Sequence, residues 1–324
     1  FYVVLFKGEF FMVEQVDEGM AVFLQRCADY DRDALKSFFQ LCLDEQEFFS
    51  PRSSRVLIKP NLISARGPGL ACTHPEFLLS LAEFLVDSGA DVVLGDSPAF
   101  GRASSVLRRS GVDKKLTAVG VDVVDFTRSV EQRLQCGVDV RVAAEVLECD
   151  YCINAPKVKA HNQMYATMAM KNIFGIVVGM QKGMLHMRHG SSEAVFAAII
   201  ADLLSVLPPH CTVVDGVVAM HRRGPLHGDS IDLGCIGCAS DTVALETALL
   251  RALELDASRS PLWCEARRRN WPGTVYDTLS FPLLAPEDFA GTMFEAPSQL
   301  DPIRFNPFRF LRGSLQRLLA WQNR

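Results

Sequence analysis

The sequence lacks several patterns that would assign it at once to a large class of proteins. No apolar run approaches the roughly 18 residues that a membrane-spanning helix needs. The 33 basic residues against 38 acidic ones give a net charge of −5, which argues against a dedicated nucleic-acid binder. The first residues lack the basic opening of a secretory signal peptide. We therefore expect a soluble, cytoplasmic globular protein.

The standard catalytic and nucleotide-binding motifs are also missing. No G-x-G-x-x-G follows a predicted strand, no Walker loop is present, and no G-x-S-x-G elbow could carry an acyl-transfer serine. The ten cysteines are scattered, mostly within apolar runs, as expected for buried thiols in a reducing compartment. Function must therefore be sought in less familiar patterns.

Short β-branched runs alternate with segments of helical periodicity, which is typical of an α/β fold. We predict a mostly parallel sheet flanked by helices, with a cleft at the carboxyl ends of its strands. The main domain is residues 51–255, and residues 1–50 supply an N-terminal strand and helix that pack on it. The proline-rich residues 256–324 are expected to form an irregular C-terminal wrap that ends in a basic amphipathic helix.

Individual elements follow from the same periodicities. Helices are predicted to begin near Asp31 and Thr73 and to cover 193–206 and 241–255. The predicted strands cover 1–6, 56–59, 91–95, 121–125, 138–146, 152–154, 211–215 and 231–238.

One stretch of the chain has an unusual charge distribution. Between Tyr151 and Ser192 there is no Asp or Glu, while lysines, histidines and six of the ten methionines fall there. A basic and apolar stretch in an acidic protein indicates a site for an anionic, partly apolar ligand. The simpler alternative is a core helix whose lysines extend to solvent.

Polar residues also follow four of the predicted strands. These are Lys59-Pro60-Asn61, Asp96-Ser97-Pro98, Asn154-Ala155-Pro156-Lys157 and Asp215-Gly216. One such loop would mean little, because Asp, Asn and Pro are ordinary turn residues. Since ligands of open parallel sheets bind at the carboxyl ends of strands, we expect these four loops to line one crevice.

Several of these segments resemble the motifs of a known family. They are Val56 to Leu62, Thr73-His74-Pro75-Glu76, Gly95 to Pro98, Ile153 to His161, Met170 to Gly175, and Val214-Asp215-Gly216 with Gly224-Pro225 and Gly228. In order and spacing they resemble the domain-of-unknown-function 362 family over roughly residues 50 to 250. The resemblance implies an α/β domain but no particular reaction.

Relatives in that family are often described as iron–sulfur proteins, which makes a metal-dependent redox protein the alternative function. This chain lacks the closely spaced Cys-x2-Cys-x2-Cys run that would hold a cluster. Its candidate metal ligands are Cys149 and Cys152, with a second pair at Cys235 and Cys238, and His186 with His189. Both cysteine pairs fall in predicted strands, where positions i and i+3 face opposite sides. The cofactor is therefore left open between none, a divalent metal and an iron–sulfur cluster.

The C-terminal residues 300–324 interleave apolar side chains with five arginines against one acid. Such a basic amphipathic helix can lie weakly on an anionic membrane surface. It can equally dock on its own domain or on a second copy of the chain in a homo-oligomer. A non-catalytic membrane-surface or scaffold protein is the second alternative function.

The function that the sequence favours is an enzyme with a cleft for a small carboxylate or phosphate, and with acid–base or isomerase-type chemistry. Lysines would hold the anion or act as base, His161 would be the acid–base group, and the two aspartates would orient it or bind a metal. The candidate catalytic residues are Lys59, Lys157, Lys159, His161, Asp96 and Asp215. The candidate substrate-binding residues are Asn61, Ser97, Asn154, Lys171, Asn172, Gly175 and Gly224.

Overall fold

One nine-stranded sheet organises the chain in the computed structural model, which describes residues 2–6, 9–13, 20–44, 50–67 and 69–303. The strands within these residues are β1 (Tyr2–Phe6), β2 (Glu9–Val13), β3 (Met20–Ala21), β4 (Phe23–Arg26), β5 (Arg55–Pro60), β6 (Asp91–Asp96), β7 (Asp122–Asp125), β8 (Ser129–Arg133), β9 (Asp139–Ala143), β10 (Tyr151–Ala155), β11 (Lys157–His161), β12 (Tyr165–Thr167), β13 (His210–His221), β14 (Asp229–Ala239) and β15 (Leu279–Ser280).

Ten α-helices lie within the same residues. They are α1 (Arg32–Asp44), α2 (Pro75–Asp87), α3 (Ala103–Ser110), α4 (Asp113–Ala118), α5 (Ala144–Leu147), α6 (Ala169–Asn172), α7 (Gln181–His189), α8 (Glu193–Leu204), α9 (Thr242–Ala252) and α10 (Pro261–Arg268).

The sheet is mainly parallel. Strands β7, β6, β5, β10 and β13 lie side by side and run in the same direction. Strand β11 follows β10 after Pro156 and continues parallel to β13, while β12 pairs antiparallel with β11. On the other side of β13, β14 and then β4 complete the sheet in antiparallel pairing. The predicted α/β fold with a mostly parallel sheet is confirmed.

Helices cover both faces of the sheet, as a buried parallel sheet requires. Val56 and Ile58 of β5 pack with the phenylalanines of α1 and α2 on one face. Leu57, between them, packs with α8 on the other face. Because side chains alternate along a strand, Lys59 points to the same side as Leu57. The alternation therefore places the Lys59 side chain among the buried polar groups of the candidate site.

Two predictions of local structure differ from the observed elements. The strand predicted over 138–146 ends at Ala143, and α5 begins at Ala144. Glu145 lies in the first turn of α5, where it accepts hydrogen bonds from the amides of Thr127 and Arg128, and this turn diverts the chain from the strand. The predicted irregular wrap contains the regular helix α10.

One predicted strand is longer in the structure, and one predicted helix lies mostly outside the described residues. The strand predicted over 211–215 continues to His221, with an irregularity in its pairing after Gly216. The amphipathic helix predicted near the C-terminus falls mostly on residues 304–324, outside the described residues. The domain boundaries at residues 50 and 255 stay a prediction.

Candidate active site at the strand ends

Polar side chains of neighbouring strands are buried together at the edge of the sheet where β5, β6 and β10 end. Lys59 lies near the end of β5 and Asp96 at the end of β6. Asn154 lies beside Lys59 in register on β10, and Lys157 of β11 is in register with Asp215 of β13. All five residues are at most 2% exposed. The structure therefore brings these residues together, although Asp215 lies within β13 and Lys157 begins β11, where loops after strands were predicted.

The first cluster is centred on a buried ion pair. The Lys59 ammonium lies 2.9 Å from the Asp96 carboxylate and also donates to the carbonyl of Pro60. Asp96 accepts two further hydrogen bonds, from the amides of Leu62 and Ser97, each at 2.9 Å. A buried carboxylate with one cation and two amide donors is compensated in charge and in hydrogen bonding.

Asn172, at the end of α6, ties this cluster together. Its Oδ1 accepts from Asn61 at 2.8 Å and from Lys59 at 3.4 Å. Its Nδ2 donates to the Lys59 carbonyl at 3.2 Å and to Asn154 Oδ1 at 2.8 Å. Since every polar atom of the amide has a partner, the side chain can adopt only this orientation.

Gly175 covers the ion pair and leaves no room for a side chain. A Cβ at this position would lie 2.3 Å from both Asp96 Oδ1 and Lys59 Nζ. The position thus requires glycine for close approach to the ion pair. Gly224, predicted as substrate-binding, has a different surrounding: it packs against the carbonyl oxygen of Ala160 on β11.

The second cluster joins the N-terminal segment to the sheet. Lys157 Nζ donates to Asp215 Oδ2 at 2.9 Å and to the Tyr30 hydroxyl at 2.8 Å. The Tyr30 hydroxyl donates to Asp215 Oδ1 at 3.0 Å, and its ring stacks on His74 with 3.6 Å between centroids. The His74 amide donates to Asp215 Oδ2 at 2.8 Å. Burial raises the pKa of Tyr30, with Asp215 adding to this effect, so its hydroxyl remains protonated.

Three further lysines have no carboxylate partner in the described part of the chain. Lys159 is buried and donates to Asn61 Oδ1 and to the Ala71 carbonyl. Lys182, on α7, donates to the carbonyls of Ser97 and Gly175. Lys171, on α6, lies over the ring of Phe174 at 4.7 Å. The edge therefore carries more ammonium groups than carboxylates.

The environment lowers the pKa of each of these lysines. Burial, together with neighbouring lysines, lowers the pKa of Lys159 to about 7, of Lys171 to about 8 and of Lys182 to about 7. Asp96 acts in the opposite direction on all three but does not cancel the effect. Near neutral pH, part of this population of amines is uncharged.

Two histidines face the same group of lysines. His161 Nδ1 accepts hydrogen bonds from the amides of Gln163 and Met164, which places the ring proton on Nε2. Burial and then Lys171 and Lys159 lower the pKa of His161 well below its usual value. Burial likewise lowers the pKa of His186 to about 4, and His186 Nδ1 lies 3.1 Å from the Ile303 carbonyl. Both rings are therefore neutral at physiological pH.

The expectation that an aspartate orients His161 is wrong. Asp96 bonds to Lys59 and two amides, and Asp215 bonds to Lys157, Tyr30 and His74. Backbone amides orient His161 instead. Sequence patterns show which groups end strands, but not which of them meet.

The candidate metal ligands do not assemble into one site. No group of three or more His, Cys, Asp or Glu in the described residues could hold a metal ion. Cys149 and Cys152 lie in the core beside α8, whereas Cys235 and Cys238 lie in two other core clusters. Cys149 donates to the Glu145 carbonyl, and burial raises its pKa to about 11. These four thiols do not fit an iron–sulfur cluster.

Three residues near this site were not among the candidates predicted from the sequence. Tyr30 lies outside the segment that resembles a family, and no local pattern marks it. Lys182 lies in the acid-free stretch, and that signal could have identified it. Glu246 of α9 is buried and accepts a hydrogen bond from the Met170 amide, at the start of α6, at 3.1 Å. Burial raises the pKa of Glu246 to about 7.

Two surface cavities lie away from this site. One, of about 360 Å³, lies between α1 and α2, and the other, of about 290 Å³, lies beside α7.

Comparison with known proteins shows the family to which the chain belongs. Residues 56–251 match the family model described as "Domain of unknown function (DUF362)", so the chain belongs to this family. The chain is also 31% identical over 305 residues to the "Thylakoid-associated protein sll1697" of Synechocystis sp., covering 91% of this chain and 94% of that protein.

Two solved structures have weaker similarity. The lactate racemase apoprotein of Thermoanaerobacterium thermosaccharolyticum is 12% identical with a TM-score of 0.44, over 75% of this chain and 60% of that one. A protein of Thermotoga maritima is 10% identical with a TM-score of 0.43, over 60% of this chain and 52% of that one. In the described residues, no helix combines the length and hydrophobicity needed to cross a bilayer.

Proposed function

We propose that this protein binds a small anion, a carboxylate or a phosphate, at the strand-end site. The observation that supports the proposal is that Lys159, Lys171 and Lys182 lie together at this edge without a carboxylate partner in the described structure. The two carboxylates of the site are already engaged by Lys59 and Lys157. An anion would supply the charge that these amines lack.

The energetics favour such a ligand. Removing an ammonium group from water without a counter-charge is costly, and such a group tends to lose its proton instead. A bound anion about 4 Å away would attract each charge by about 4 kcal/mol at an effective dielectric constant of 20. The lowered pKa values of Lys159, Lys171 and Lys182 should therefore rise on binding, and the protein should take up protons with the anion.

The same residues provide a group that can accept a proton and a group that can donate a hydrogen bond. An uncharged lysine amine near pH 7 can accept a proton, and the His161 Nε2–H can donate a hydrogen bond to an anionic oxygen. Proton abstraction beside a carboxylate, as in an isomerisation, needs both functions. We propose this class of chemistry for the site.

Isothermal titration calorimetry with inorganic phosphate and with acetate tests the binding proposal. We expect one site per chain, and affinity that falls as the pH rises above about 8, because the lysines are then uncharged. Heats in buffers of different ionisation enthalpy should report proton uptake. Lys171→Met should weaken binding by about tenfold or more, whereas Lys114→Met, at an exposed position on α4, should not. Binding that is absent, or equal in the two variants, would contradict the proposal.

A second proposal concerns location. The name of the Synechocystis relative suggests contact with a membrane surface rather than a location free in the cytoplasm. The sequence after Ile303 contains five arginines and no acid, which suits an anionic lipid surface. Cosedimentation with vesicles of anionic lipid should therefore decrease when residues 304–324 are deleted. Equal binding by the shortened chain would rule this segment out.

A further inference from the structure

The five lysines at the strand ends differ in how their amines are engaged. Lys59 and Lys157 are paired with carboxylates. Lys159 and Lys182 donate to carbonyl or amide oxygens. Only Lys171 has neither a hydrogen bond nor an ion pair in the described part of the chain, and its contact there is with the Phe174 ring. Its amine is thus the one free to react.

The backbone that carries this amine is firmly held. On one side, the amide of Met170 donates to the buried Glu246. On the other side, the Asn172 side chain is fixed by hydrogen bonds to Asn61, Asn154 and the Lys59 carbonyl. Lys171 is of intermediate burial, so solvent reaches part of the residue. An amine without a hydrogen-bond partner in the described residues, carried on a fixed backbone, is the arrangement that a nucleophile needs.

The groups around Lys171 favour the nucleophilic form of the amine. The charges of Lys59 and Asp96 act on its amine. The charge of Lys171 acts in turn on Lys182, Lys159, His161 and His186. Neighbouring cations and desolvation are the two means by which proteins activate an amine towards carbonyl groups. The same cations would bind a carboxylate placed next to that carbonyl.

We propose that Lys171 is a nucleophile that forms an imine with the carbonyl group of a small 2-oxo acid, whose carboxylate is held by the neighbouring ammonium groups. This inference rests on the proposed anion-binding function. The amine nitrogen bonds to the carbonyl carbon, the carbonyl oxygen leaves as water, and no oxidant or reductant is consumed. The uncharged amine gives up both of its N–H protons to the departing oxygen, directly or through solvent, so that a neutral C=N bond and one molecule of water are formed.

Reductive trapping tests the inference. The full chain is incubated with pyruvate and cyanoborohydride, which reduces an imine to a stable secondary amine, and is then analysed by intact mass and peptide mapping. We expect one adduct per chain, located at Lys171, and labelling about tenfold faster with pyruvate than with acetone, which lacks the carboxylate. The Lys171→Arg variant retains the charge but should not be labelled, whereas Lys114→Arg should be labelled as the wild type is.

The outcomes separate this inference from the binding proposal. If phosphate and acetate bind but the label is absent or spread over many lysines, the imine is refuted and the anion site stands. If neither anion binds, the proposed function fails, and the trapping result still decides whether Lys171 is selectively reactive. The circular dichroism of Lys171→Arg, compared with that of the wild type, shows that loss of label does not come from unfolding.

Discussion

The buried Lys59–Asp96 ion pair offers the most direct test of the site's architecture. Lys59→Met removes the cation and keeps a side chain of similar length. At 2.9 Å and an effective dielectric constant of 20, the lost attraction is about 6 kcal/mol. Part of this is offset because the ammonium group no longer has to be desolvated. We expect the free energy of unfolding to fall by about 3–5 kcal/mol, the usual cost of leaving a buried charge unpaired.

A surface pair with the same geometry provides the control. Lys36 Nζ lies 2.9 Å from Glu83 Oε2, but the two side chains are 31% and 17% exposed, against 0% and 3% for Lys59 and Asp96. Because water screens the Lys36 pair, Lys36→Met should cost at most about 1 kcal/mol. If distance alone set the strength of an ion pair, Lys59→Met and Lys36→Met would lower the free energy of unfolding equally. If burial sets it, Lys59→Met should lower it much more.

Urea unfolding followed by far-UV circular dichroism measures both losses. A double variant, Lys59→Met with Asp96→Asn, removes both charges and should recover about 1–3 kcal/mol relative to Lys59→Met alone. If Lys59→Met costs no more than Lys36→Met, the buried pair contributes no more than a surface pair and the reasoning is refuted. The same conclusion follows if the double variant recovers nothing.

Two further predictions concern the packing and the pH dependence of the site. Gly175→Ala should lower the free energy of unfolding by about 1–3 kcal/mol, because the new methyl group would overlap Lys59 and Asp96. Gly69→Ala, where a Cβ meets no atom within 4 Å, should change it by less than about 0.5 kcal/mol, and similar thermal-denaturation midpoints for both variants would contradict the packing argument. Burial raises the pKa of Glu246 from its usual 4.5 to about 7, so between these values the folded chain holds a proton that the unfolded chain has released. Stability should therefore fall as the pH rises through this window, by about 3 kcal/mol in all. Glu246→Gln should be free of that decrease when urea unfolding is repeated from pH 4.5 to 7, and identical profiles for variant and wild type would show that Glu246 does not titrate as argued.

Local sequence patterns predicted the strands that carry Lys59, Asp96, Asn154 and Asp215, but not β11, α6 or α7, which carry the other lysines of the site. The apolar run before Lys59 is a buried strand because both faces of a central parallel strand are covered, and this requires consecutive hydrophobic residues. The same reasoning located Asp96 and Asn154 at or near strand ends, whereas Asp215, which was predicted to end its strand, lies in the middle of β13. The strand predicted over 138–146 was wrong at its end because α5 forms there through contacts made by Glu145, which no alternation of apolar residues reveals.

Partners within the site could not be predicted in this way. Lys59 meets Asp96 and Asn172, which are 37 and 113 residues away in sequence, because β5 lies between β6 and β10 in the sheet. Tyr30 reaches Lys157 from 127 residues away. The order of strands in a sheet is set by how helices pack on its faces, so residue spacing alone does not specify it.

The sequence by itself therefore determined the class of fold, the family, and the excess of basic over acidic residues near the strand ends. Each of these is encoded in local periodicity, in short motifs or in composition. Only the tertiary structure decided that two of the five lysines are neutralised by aspartates while Lys171 is left without a hydrogen bond in the described residues. The reason is physical: charge compensation acts over a few ångströms of space, and that proximity is created by the packing of strands and helices.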